Sequence, residues 1–101
     1  MSSSNLSSAT KTADGQLVSG RTRVAGIYYT CTNTGSSFTL KNGTSGSATA
    51  LVSITTPAAA GGYDIIIPDM GILFDGGVYL DVNDAEVTSV TVFFYGGAAA
   101  A

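Results

Sequence analysis

Between residues 81 and 86 the chain gathers four oxygen-bearing side chains, Asp81, Asn83, Asp84 and Glu86. Oxygen donors at that density are what a hard cation such as calcium uses, through carboxylates and carbonyls. A calcium loop of the EF-hand type also needs a central Gly and a distant bidentate Glu, and this stretch has neither. The competing explanation is a turn, because Asp and Asn side chains bond nearby backbone amides. The turn accounts for the spacing, so the expectation is no metal site. Paired carboxylates could in principle hydrolyse a glycosidic bond, but Asp69, Asp75, Asp84 and Glu86 all fall in turn-forming stretches.

Other catalytic arrangements lack a component. The chain has no histidine, which removes Ser-His-Asp and Cys-His nucleophile systems. Its single cysteine, Cys31, permits neither an internal disulfide nor a cysteine-built zinc site and reads as a small buried hydrophobe. Asp75-Gly76-Gly77 precedes an apolar run without the Lys-Ser/Thr of a phosphate loop. No catalytic residue, cofactor or metal is expected, and the chain reads as a non-enzyme.

The aromatic residues carry more information. Tyr28-Tyr29 and Phe93-Phe94 are adjacent pairs, and strand geometry sends one ring of each pair to each face. One ring can enter a core while the other meets water or a partner. Exposed Tyr and Phe concentrate at interface centres, so Tyr28, Phe93 and Tyr95 are candidate interface residues. Leu51 interrupts the polar face of an alternating stretch, and Leu6 is the large apolar residue of a Ser/Thr-rich N-terminal segment. Both join the candidate set.

The elements that must position these residues are short strands. From Ile65 onward, apolar runs are cut by Pro68, by Asp75-Gly76-Gly77, by Asn83-Asp84 and by Gly96-Gly97. Runs of this length, rich in β-branched and aromatic residues and bounded by turn formers, read as strands. Upstream, residues 16–19, 21–32, 37–41 and 48–55 read likewise. In residues 21–32 the expected core face is Arg23, Ala25, Ile27, Tyr29 and Cys31, with Arg23 at its rim. Gly26 marks a bulge or the close approach of another backbone. In residues 87–95 the core face is Val90, Val92 and Phe94. Asn42-Gly43 predicts a type I′ hairpin turn, lengthened by residues 44–47. Residues 56–62 read as a loop.

About eight short strands with no helical segment predict an all-β fold, an antiparallel β-sandwich of jelly-roll or Greek-key kind. The expected organisation is an N-terminal arm over residues 1–14, one β-sandwich domain over residues 15–97 and a patternless tail over residues 98–101. The arm has no period of its own and is expected to drape over a neighbouring subunit.

Charged residues make up 11% of the 101 residues, against ~25% in typical soluble domains. A surface so poor in charge suits a chain packed against other subunits, and a homo-oligomer is expected. The net charge of −3 offers nothing to neutralise phosphates, which disfavours nucleic acid. No apolar run approaches a bilayer span, and the N-terminus lacks a secretory pattern, so no membrane partner is expected.

The segments VSGRTRVAGIYYT, GILFDGGVYLDV and SVTVFFYG resemble small virion proteins of tailed bacteriophages, especially marine podovirus-like ones. The resemblance covers residues 15–96. It implies a structural protein of the particle, assembled in the host cytoplasm and located in the virion. Its partners would be the major capsid protein or other virion proteins. A capsid decoration or cement protein is the leading expectation. The alternative is a tail, neck or fibre component, including a host-glycan-binding adhesin module. The resemblance supplies no functional residues.

Overall fold

A computed structural model describes residues 6–99. Among these residues eight strands form: β1 Ser7–Lys11, β2 Gly15–Cys31, β3 Ser37–Asn42, β4 Thr49–Thr55, β5 Gly61–Ile66, β6 Ile72–Phe74, β7 Val78–Val82 and β8 Val87–Ala99. No helix is present among them, and each strand pairing is antiparallel. The all-β antiparallel expectation holds.

β2 is the hub. β8 bonds along one edge of it, from Val18 to Cys31. The opposite edge is served in turn by β7 near Gly15 to Val18, by β6 at Thr22 to Val24 and by β5 at Gly26 to Cys31. One leaf therefore runs β1-β8-β2-β5, with β6 following β5 along the same edge of β2, and the other runs β2-β7-β3-β4. The leaves share β2 and belong to one continuous sheet. Their inner faces meet, since the Tyr29 and Phe38 rings pack edge to face with centroids 5.3 Å apart, although β7 separates β2 from β3 in the ladder. This all-antiparallel ladder is consistent with a sandwich or jelly-roll arrangement.

The core between the leaves includes Phe38, Leu40, Phe74, Leu80, Val90, Val92 and Phe94, each essentially removed from water. Fully burying side chains of this size contributes about 1.5–3 kcal/mol each. Val90, Val92 and Phe94 take the core face of β8 as expected, with Phe93 and Tyr95 half-buried on the other.

The core face of β2 needs correcting. Thr22 and Val24 are buried, then Ile27, Tyr29 and Cys31, while Arg23 and Ala25 are not. The pairing with β8 slips between Val24 and Gly26, so Ala25 is an extra residue that reverses which side chains face inward. A similar slip against β7 between Gln16 and Val18 lets adjacent Leu17 and Val18 both be buried. Gly26 lies at the bulge, and a Cβ there would sit 3.4 Å from the Ile65 carbonyl oxygen.

Three boundaries also differ. Residues 16–19 and 21–32, expected as two strands, form one that bends at Gly20, where φ is +83°. β8 does not stop at Tyr95 but runs through Gly96-Gly97 to Ala99, where Ala98 and Ala99 pair with Ser19 and Val18. Gly96 and Gly97 have φ of +72° and +62°, and they carry β8 around the same bend. β5 begins at Gly61, inside the expected loop, because Gly61 and Gly62 pair with Cys31 and Thr30.

The N-terminal segment departs from its expectation too. Ser7–Lys11 forms β1 and pairs with β8 of the same chain, Ser7 opposite Phe94 and Lys11 opposite Val90. The rest of the expected draping, at residues 1–5, lies outside the described residues, as do residues 100 and 101 of the expected tail.

The β3–β4 hairpin forms, without a type I′ turn at Asn42-Gly43. Asn42 ends β3, and its side chain donates to Asp75 Oδ1 at 2.8 Å and accepts from the Gly76 amide at 2.8 Å. A six-residue connection, residues 43–48, replaces the tight turn. Consecutive non-glycine positive φ values occur instead at Asp69 (58°) and Met70 (68°), where the Gly71 amide donates to the Pro68 carbonyl at 3.1 Å.

Three measurements test this packing. Phe94→Ala should lower unfolding free energy by about 3–5 kcal/mol, and a denaturant midpoint equal to wild type would refute the core assignment. Gly43→Val should lower Tm, because a Cβ there would lie 2.7 Å from the Ala48 Cβ; an unchanged Tm would mean the connection runs elsewhere. Burial, then the nearby Cys31 and Tyr63, raise the Tyr29 hydroxyl above its ordinary value of 10.0. A raised folded value means that the folded state holds this proton more tightly. Its stabilisation is full below pH ~10 and is lost as pH rises beyond that. Tyr29→Phe should flatten that alkaline loss, and an identical stability-versus-pH curve would contradict it.

Candidate functional site

The acid-rich turn that suggested a cation is bonded into the fold. Asp84 Oδ1 accepts from Ser36 Oγ at 2.7 Å and from the Glu86 amide at 3.0 Å, an Asx-type turn. Glu86 Oε1 accepts from the Thr32 hydroxyl, and the Thr32 amide donates to the Glu86 carbonyl. Asp81 Oδ2 forms an ion pair with Lys41 Nζ at 2.7 Å. These acids tie the turn between β7 and β8 to the end of β2 and to β3. Among the described residues no three acidic, His or Cys side chains come together as a metal site. Cys31 is buried, with its thiol 3.5 Å from the Ala59 carbonyl oxygen.

The candidate interface residues fall into two groups. Tyr28, Phe93 and Tyr95 share the outer face of the β1-β8-β2-β5 leaf. The ladder sets three levels on this face. Tyr95 lies opposite Arg23, and Arg23 opposite Leu73. One level along, Ser8, Phe93, Gly26 and Ile66 line up across the four strands. Next come Thr10, Thr91, Tyr28 and Asp64. Leu6 precedes β1 beside the Tyr95 level and is exposed. Leu51 stands apart on β4, in the other leaf, where the ladder slips between Leu40 and Lys41.

Rings cover the glycines of this face. The Phe93 ring lies over Gly26, 3.4 Å from where a Cβ would be, and Tyr28 lies over Gly62 closely enough that a Cβ would overlap its hydroxyl. Aromatic cover of glycine backbone helps to fix strand register. Towards the far end the face turns polar, with hydroxyl pairs between Thr10 and Thr91 at 2.7 Å and between Thr30 and Ser89 at 2.6 Å. At the other end Arg21, Arg23, Leu73 and Tyr95 border a shallow groove of about 300 Å³.

Sequence reasoning missed Ile66 and Met70, the most exposed of the large apolar side chains at 83% and 63%. Ile66 was legible. Three consecutive isoleucines in a strand cannot share a face, so the middle one points away when its neighbours turn inward. Ile65 and Ile67 do pack against the core. Met70 had no such signal, because its exposure follows from the turn geometry.

Comparison with known proteins finds no matching family profile, no matching curated protein and no matching solved structure.

The division between a structural turn and an outer face is testable. Asp84→Ala should cost about 1 kcal/mol or more by leaving the largely buried Ser36 hydroxyl without this acceptor, and millimolar calcium should leave the wild-type Tm unchanged. A calcium-dependent rise in Tm would show that the turn holds an ion. Tyr28→Ala should stay within about 0.5–1 kcal/mol of wild type, and unfolding of that variant would place Tyr28 in the structural core.

Proposed function

We propose that this chain is a non-enzymatic structural protein of a bacteriophage particle, a decoration or cement protein that binds the outer capsid. The observation that carries the reading is the outer leaf face on which Tyr28, Ile66, Phe93 and Tyr95 gather. Large apolar side chains brought together outside a core are the usual mark of a contact surface. The low charge supports the same reading, since water-facing domains normally rely on more ionised side chains. The resemblance of three segments to small virion proteins supplies the setting. Subunit contacts would use this face, and the separate Leu51 edge would meet the major capsid protein or other virion proteins.

A second reading draws on the groove. Arginine beside an aromatic ring suits an acidic sugar, because guanidinium pairs with carboxylate in a planar fork. Arg23 and Tyr95 border that groove, which keeps open a tail, neck or fibre position with host-glycan binding.

Stoichiometry in purified particles separates these readings. Hundreds of copies are expected for capsid coating, whereas about a dozen or fewer would move the protein to the neck or tail, and glycan-array binding would favour the adhesin. For the capsid reading, Leu51→Asp combined with Phe93→Asp should leave a folded domain that no longer enters particles. Normal occupancy by that variant would end the proposal that these surfaces make the contacts.

A further inference from the structure

The outer leaf face is complementary to itself, and we infer that it pairs with a second copy of this chain through an isologous two-fold contact. The inference rests on the reading of this face as a contact surface and names a second copy as its occupant.

The argument starts from the three levels. The level of Phe93, Gly26 and Ile66 is central and apolar across β8, β2 and β5, with the exposed Ser8 at its β1 end. On one side is the level of Tyr95, Arg23 and Leu73, and on the other that of Thr91, Tyr28 and Asp64. The outer levels lie two residues from Phe93 along β8, so they are equidistant from it, at ~7 Å. A two-fold axis lying in the face, perpendicular to the strands and through the central level, superimposes each outer level on the opposite one of the second copy. An isologous contact requires this reciprocity.

What meets is complementary in shape and in charge. Tyr28 is an exposed knob, 40% open to solvent, lying over bare glycine backbone. The operation sets it over Arg23, at the groove bordered by Leu73 and Tyr95. A guanidinium over a tyrosine ring is a favourable cation–π contact. Asp64 is one strand over from Tyr28, ~5 Å away, within reach of the same guanidinium once the sheets cross at the usual ~30°. Among the described residues Arg23, Arg21 beside it on the groove, and Asp64 belong to no ion pair, so each copy brings cationic side chains to the place where the other copy brings Asp64. Phe93 and Ile66 would close on the second copy's Phe93 and Ile66 at the centre, with the hydroxyl-bearing Thr10, Thr30 and Ser89 at the rim. That is an apolar centre with a polar margin.

Isolated full-length protein tests this without any particle, so the outcome is separate from particle incorporation. Sedimentation velocity from about 5 μM to about 500 μM should show a concentration-dependent monomer–dimer equilibrium, as expected for a contact of modest area. Ile66→Lys, with an unchanged circular-dichroism melt, should be monomeric throughout. Arg23→Glu and Asp64→Arg should each weaken the dimer about tenfold or more, because each places like charges together twice. Mixing those two variants in equal amounts should restore a dimer, since the heterodimer then holds one native and one reversed ion pair. A wild type that stays monomeric at the highest concentration overturns the inference and leaves the face to a different protein. So does a dimer indifferent to Ile66→Lys. A dimer abolished by Ile66→Lys that the mixture fails to restore overturns the proposed pairing of levels.

Discussion

The rest of this molecule depends on β2 being hydrogen-bonded along both edges while it turns from one leaf of the sheet into the other. A buried strand cannot leave its amide and carbonyl groups unpaired without a cost of about 1–3 kcal/mol each. The ladders on both edges therefore stop only at the exposed bend around Gly20 and resume at Thr22. β8 meets that demand on one side with Gly96 and Gly97, whose backbone takes up the positive φ that the curve requires. Three short strands meet it on the other side, because no single straight strand could track the curve. β7, β6 and β5 each cover one segment of β2, which explains why the C-terminal half of the chain is cut into such short runs.

The same bend governs which side chains face inward. Extra residues at Leu17 and Ala25 shift the alternation twice within β2. The first lets two neighbouring apolar residues be buried at the corner, where the Gln16 side chain also reaches the Val18, Gly43 and Val78 carbonyls at 2.6, 3.1 and 3.2 Å. The second turns Arg23 outward and Tyr29 inward. Without it, strict alternation would force either a guanidinium or Tyr28 into the core, and an unpaired buried charge is far more costly than a bulge. The outer face inherits Tyr28 and Arg23 as a consequence of that slip.

Residues that look chemically active in isolation are largely occupied by folding. Asp81, Asp84 and Glu86 bond to Lys41, Ser36 and Thr32, which ties the β7–β8 turn to β3 and to the end of β2. In a chain with few charges these polar ties connect segments far apart in sequence. The outer leaf face differs: its rings cover glycine backbone, and its Arg and Asp lack ion-pair partners among the described residues. Interaction function, on this account, resides where folding leaves side chains unmatched.

Much of the fold was written in local pattern. Period-two alternation and turn residues identify the strands around residues 37–42, 49–55, 72–74, 78–82 and 87–95, because side-chain direction and turn chemistry are local properties. They also place Phe94 inside and Phe93 outside. Glycine was ambiguous in sequence: Gly20 and Gly96-Gly97 look like strand ends yet lie within strands, and Gly61-Gly62 looks like loop yet opens β5, since positive φ or missing bulk serves a bend as readily as a stop. Asn42-Gly43 misled for a related reason, as Asn42 found distant partners in Asp75 and Gly76 that outweighed the tight turn. Only the tertiary structure decided that Ser7–Lys11 pairs with β8 and that Ile66, Leu73, Phe93, Tyr28 and Tyr95 share one surface. Those placements depend on which strands become neighbours and where the register slips. Both are settled by packing between segments tens of residues apart, about which the local pattern of either segment is silent.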